Sequence, residues 1–153
     1  MRYLLQSVGL ALLCAVGVHP QNPARICVRH ITFPTRYPNV ARFARLQGTV
    51  IAKLRIAADG NVTEITVEVE DPILNAHPLL QSETKQLVRE WTFECQSCPS
   101  DGTFEHVIKF HYRLEGEDAE YDDTRVRLDL PDAVTIVARP PACDHCPTAR
   151  KKM

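Results

Sequence analysis

Hydrophobic and polar positions alternate most clearly between residues 50 and 69. Val50, Ala52, Leu54 and Ile56 share one parity, with Lys53 and Arg55 between them. After Ala58-Asp59-Gly60-Asn61, Ile65, Val67 and Val69 alternate with Glu64, Thr66, Glu68 and Glu70. A period of two predicts two strands with one apolar face, and Asp-Gly is a turn that closes antiparallel hairpins. On the outward face, basic side chains on one strand and glutamates on the other favour cross-strand pairing and read as a solvated surface.

The flanking segments carry helical spacing. Residues 37–48 predict a short helix, with Pro38 in the first turn, where a missing N–H costs nothing, and Gly48 as its left-handed stop. Over 76–93, Leu80, Thr84, Leu87, Val88 and Trp91 fall on one stripe, with Glu83, Lys85, Arg89 and Glu90 off it. Phe104, His106, Ile108, Phe110 and Tyr112 then line one face of a third strand. Residues 115–123 are acidic, have little to bury and predict an exposed linker. Beyond them Val126, Leu128 and Leu130, then Val134, Ile136 and Ala138, alternate around Pro131-Asp132 and predict a second, smaller hairpin. The fold class is therefore α+β, a small antiparallel sheet against two helices with an extra C-terminal hairpin. Its expected core includes Val50, Leu54, Ile65, Val67, Leu80, Leu87, Trp91 and Phe93.

The N-terminus changes the compartment. Arg2 precedes a nearly apolar run over 4–18, followed by Ala15-Val16-Gly17 and then Pro20-Gln21-Asn22-Pro23, the layout of a cleavable secretory signal. An uncleaved membrane anchor is the alternative, but the run is shorter than the ~20 residues that a spanning helix needs. The organisation expected is a signal at 1–19, an N-terminal extension at 20–36, a domain at 37–114, a linker at 115–124, and a hairpin with a cysteine-containing tail at 125–153. Export makes disulfides the first reading for Cys95-Gln96-Ser97-Cys98 and Cys143-Asp144-His145-Cys146. Four thiolates could instead hold a structural zinc, although about 44 residues separate the pairs. Thiol–disulfide exchange is disfavoured because Cys95 follows the end of a helix rather than opening one. Cys27 has no assigned role.

A formal net charge of -1 gives no basic face for nucleic acid. The sequence has no nucleophile elbow, phosphate-cradling glycine loop or H-E-x-x-H, and His106 and His111 lie on opposite faces of their strand. No catalytic residues, committed metal site or cofactor are expected, structural zinc aside.

Several stretches carry a resemblance. Tyr37-Pro38, Ala41-Arg42 and Gln47-Gly48-Thr49-Val50 come first, and Asp59-Gly60-Asn61-Val62 forms the turn. Ala76-His77-Pro78-Leu79-Leu80 and Val88-Arg89-Glu90-Trp91-Thr92-Phe93 follow, the last with a W-x-F close. In this order they resemble the TonB C-terminal domain family over about residues 37–112. The resemblance implies a non-enzymatic periplasmic module linked to transmembrane transport, which contacts an extended segment of an outer-membrane receptor by strand addition. The matching edge is the third strand, with Glu105, Val107, Lys109, His111 and Arg113 as partner-binding residues. Such an edge could also pair two copies into a homodimer. A complete transducer is not expected, because the residues between apolar run and domain span roughly 65–70 Å even when fully extended.

Overall fold

The computed structural model describes residues 25–34, 36–96 and 102–142. Its elements run β1 (Arg25–His30), α1 (Asn39–Phe43), β2 (Gly48–Ile56), β3 (Val62–Val69), α2 (Pro72–Ala76), α3 (Leu79–Arg89), β4 (Thr92–Gln96), β5 (Phe104–Leu114), β6 (Arg125–Asp129) and β7 (Ala133–Ala138). The main sheet has the order β3-β2-β5-β7-β6, and β1 and β4 form a separate antiparallel pair.

The expected β2–β3 hairpin is antiparallel, with Val50 opposite Val69 and Leu54 opposite Ile65. Its apolar face, joined by Ile108, Phe110 and Tyr112 of β5 and by Val134, Ile136 and Ala138 of β7, forms the buried floor of the domain. The helix α3 lies over that floor and buries Leu80, Thr84 and Val88. Trp91 and Phe93 are almost fully buried, whereas Ile65, Val67 and Leu87 are half-buried at the margin of the core. The Trp91 ring packs against Phe110 at 5.8 Å and Phe93 at 6.3 Å, and its Nε1 donates to the Thr32 carbonyl at 3.0 Å. That bond satisfies the polar atom of an otherwise apolar ring.

Four local expectations change. The first helix ends earlier than predicted: Arg45, at φ 53, takes the left-handed position, and Leu46 N–H donates back to Ala41 at 2.9 Å. Gly48 instead opens β2, where Leu74 approaches so closely that a Cβ would meet its Cδ1 at 2.6 Å. The segment 76–93 is not one helix, because α2 ends at Ala76 and Trp91 lies just past α3. The chain then turns directly into β4, which the apolar stripe had concealed. In addition, the sheet is mixed: β7 runs parallel to β5, with Lys109 opposite Ala133 and Leu114 opposite Ala138. A parallel neighbour needs a long crossover, and residues 115–132, including β6, supply it.

The acidic stretch is therefore not a free linker. It is exposed at most positions, but Ala119 is buried and exchanges backbone hydrogen bonds with Pro140 and Ala142. Arg42 of α1, itself buried, donates through Nε to the Arg139 carbonyl at 2.7 Å and through Nη2 to the Ala119 and Tyr121 carbonyls at 2.9 and 3.2 Å. Few apolar side chains are needed where the main chain itself is gripped.

Candidate functional site

Glu105, Val107, Lys109, His111 and Arg113 all lie on the outer, solvent-facing side of β5, as their parity requires. Glu105 meets Arg55 at 3.5 Å, His111 Nδ1 lies 3.0 Å from Thr49 Oγ1, and Arg113 meets Glu115 at 3.7 Å. Their strand, however, is interior to the sheet. One side of β5 is paired with β2 from Phe104 to Tyr112, and the other with β7 from Lys109 to Leu114. Lys109 N–H donates to Asp132 and Glu115 N–H to Ala138, closing both ends of that pairing. The expectation of an open partner-binding edge is thus corrected at Lys109, His111 and Arg113, whose main chain is already occupied. Glu105 and Val107 lie before the pairing with β7 begins, and Val107 is well exposed.

The sheet ends instead at β3 and β6. At the β3 end, Glu68 is neutralised by Lys53 at 2.6 Å and Glu64 by Arg55 at 2.9 Å. At the β6 end, Arg125 and Arg127 face outward while Val126 and Leu128 turn toward the core. Arg127 pairs with Asp129 at 3.1 Å, and Arg125 has no ion pair among the described residues. In the sequence, Val126 and Leu128 form the apolar half of this alternation. The intervening arginines were legible as the other half but carried no meaning until β6 was known to be an edge.

The electrostatics of that end are visible at His111. Its pKa is lowered first by burial and then by the positive charges of Arg113, Lys109 and Arg127, with Asp129 opposing. His106 lies on the other face, with Nε2 2.9 Å from the Pro131 carbonyl and its ring against Phe93. The two histidines form no joint site.

A groove of about 340 Å³ between residues 32–34 and 36–39 on one side and α3 on the other is lined by Phe33, Tyr37, Glu83, Glu90 and Tyr112, among others. Tyr37 donates its hydroxyl to the Leu46 carbonyl at 2.5 Å, and the Tyr112 hydroxyl lies 2.9 Å from Thr84 Oγ1. Burial pushes Tyr112 up to about 12 and Tyr37 higher still, so both phenols stay protonated near neutrality. They are packing groups with satisfied polar ends.

Of the cysteines, Cys27 is an exposed free thiol on β1, opposite Glu94, and Cys95 sits on β4 opposite Ile26. Cys98, Cys143 and Cys146 lie outside the described residues, as does the N-terminal apolar run. Among the described residues no group of three or more His, Cys, Asp or Glu side chains could hold a metal, and no helix is long and apolar enough to cross a membrane.

The family model described as Gram-negative bacterial TonB protein C-terminal matches residues 34–114. The solution NMR structure of the Pseudomonas aeruginosa TonB C-terminal domain is similar at 25% identity, with a TM-score of 0.44, over 60% of this chain and 89% of that one. No curated protein matches the chain. The family match spans more than half of the chain and runs from the segment before α1 to the end of β5, so this protein belongs to the TonB C-terminal domain family.

Proposed function

We propose that the protein is an exported, non-enzymatic interaction module of TonB-type transport, which works in the periplasm by adding an extended segment of an outer-membrane receptor to its sheet. The observation that carries this reading is the family's domain built with a parallel strand, β7, seated along Lys109–Leu114 of β5. The place beside β5 accepts an extended chain, and here the protein's own chain fills part of it. A partner segment must therefore displace β7 or join the sheet elsewhere.

The test is covalent capture. The full chain, carrying a photoreactive side chain at Val107 or Arg127, is expressed in a Gram-negative host and cross-linked in living cells. A receptor-sized adduct that fractionates with the outer membrane is expected from the chain recovered in the periplasm. A folded, exported chain that captures no outer-membrane protein from either position would overturn the reading.

The second reading, an exported protein stapled by its cysteines, draws on the two C-x-x-C pairs, Cys95 with Cys98 and Cys143 with Cys146, in a chain with the layout of an exported protein. Two disulfides would leave Cys27 as the single titratable thiol of the mature chain. A denatured, unreduced sample is expected to be labelled at Cys27 alone. Reduced thiols at Cys95 and Cys98 with bound zinc would favour the metal-stapled form instead. A strand-edge homodimer would show as a doubled mass in sedimentation.

A further inference from the structure

The two ends of the main sheet differ in how their charge is balanced. Glu64 and Glu68 of β3 are both neutralised from β2. Around β6, among the described residues, the cations Lys109, Arg113, Arg125 and Arg127 form two ion pairs, Arg113 with Glu115 and Arg127 with Asp129. Lys109 and Arg125 are left without an ion pair among the described residues. The register aligns Arg125 with Arg113 across Val137 and Arg127 with His111 across Thr135, while Lys109 is aligned with Asp129 across Ala133. A depression of about 150 Å³ lined by Glu115, Arg125, Val126, Arg127 and Val137 lies beside the strand.

The main chain of β6 is also open. Among the described residues its backbone bonds go to β7 and to the turn at Asp132. Its inner side chains, Val126 and Leu128, are half-buried against the core, so the apolar face stops short of complete cover. A strand laid along this edge would place alternate residues over Val126 and Leu128 and the others beside Arg125 and Arg127.

We propose that the open side of β6 is a docking edge for an extended protein segment with acidic side chains at alternate positions and apolar ones between them. This rests on the strand-addition reading above and names the edge and the chemistry of the segment. The pKa of His111 is lowered first by burial, and the charges of Arg113, Lys109 and Arg127 push it the same way against Asp129, in keeping with a cationic face.

The full chain is titrated into a fluorescent, end-blocked peptide of about seven alternating Glu and Val residues, the length of an ordinary strand. Controls are the Lys/Val counterpart and a peptide of the same composition with its glutamates in one block. Preferential binding of the alternating acidic peptide is expected, with new exchange protection at β6 amides. Arg125→Glu with Arg127→Glu is expected to weaken it about tenfold and to transfer the preference to the Lys/Val peptide. Both positions are exposed, and circular dichroism verifies the fold. Unchanged binding by the double variant, equal binding of the block peptide, protection at β3 or β5 instead, or no binding would each overturn the β6 assignment. If receptor capture persists after any of these results, strand addition stands and only the edge is wrong. Peptide binding at β6 without receptor capture would remove the transport reading and leave the edge.

Discussion

Arg42 shows how a single residue ties the C-terminal extension to the family domain. Its guanidinium is buried and donates to three backbone carbonyls, with no carboxylate beside it among the described residues. Charged donors in such a setting contribute more than neutral ones, and removing them leaves buried acceptors unmet. Arg42→Met is expected to cost about 3 kcal/mol in urea unfolding, with the amides near Ala119 the first to exchange. Arg45→Met removes only an exposed pair with Asp118 at 3.1 Å and is expected to cost under about 1 kcal/mol. The titrating groups act at opposite ends of the pH scale. His111 has a depressed folded pKa, so its contribution is present above the unfolded value and is lost as pH falls through the folded one. Tyr112 is raised to about 12, so its contribution is present below the unfolded value of 10.0 and is lost as pH rises toward 12. An NMR titration is expected to place the His111 midpoint below that of an exposed histidine. Arg127→Glu is expected to raise it, since Arg127 is one of its causes.

Among the elements, legibility followed the source of the signal. The β2–β3 hairpin was readable because one face is buried and the other wet, so alternation encodes register directly. The β6–β7 hairpin was readable for the same reason, but the parallel seat of β7 on β5 was not. That seat depends on the crossover and on Arg42, neither of which has a periodic signature. The strand β1 was missed because its inward side chains, Ile26 and Val28, are too few to set a pattern alone and gain their meaning from β4. A turn also did more than its sequence announced. Gly60, at φ +90, accepts at its carbonyl the Phe93 N–H at 2.8 Å, and a Cβ there would sit 2.0 Å from the Phe93 carbonyl oxygen. The hairpin turn is thus pinned to the start of β4, directly beneath the W-x-F close. Gly60→Ala is expected to cost about 3 kcal/mol, more than a turn substitution made free of contacts, because backbone must move against backbone. Gly116 has a similar φ, but only the flexible Arg139 side chain lies near, so Gly116→Ala should be much milder when the two variants are compared by thermal melting.

At the scale of the whole molecule, the functional question is whether the C-terminal extension can leave β5. Val134, Ile136 and Ala138 are fully buried in the same core as Phe110 and Trp91. Tyr37 N–H is held by Thr124, and Arg139 by Asp123 at 2.9 Å. Stripping away β7 would uncover this apolar surface together with the paired main chain of β5. Such a cost belongs to global rather than local opening. The family domain and the extension are therefore expected to unfold as one unit. Trp91 is the only tryptophan and lies in the core, so its fluorescence reports the domain, while amide exchange of β7 reports the extension. Coincident free energies from the two probes are expected, and Ile136→Ala should lower both by about 2–5 kcal/mol. If β7 amides instead exchange through an opening several kcal/mol cheaper than global unfolding, the strand is detachable and displacement by a receptor segment becomes the accessible route. If the two coincide, a partner gains nothing by competing for β5. Strand addition must then use an edge that is already free, which is where the charge on β6 points.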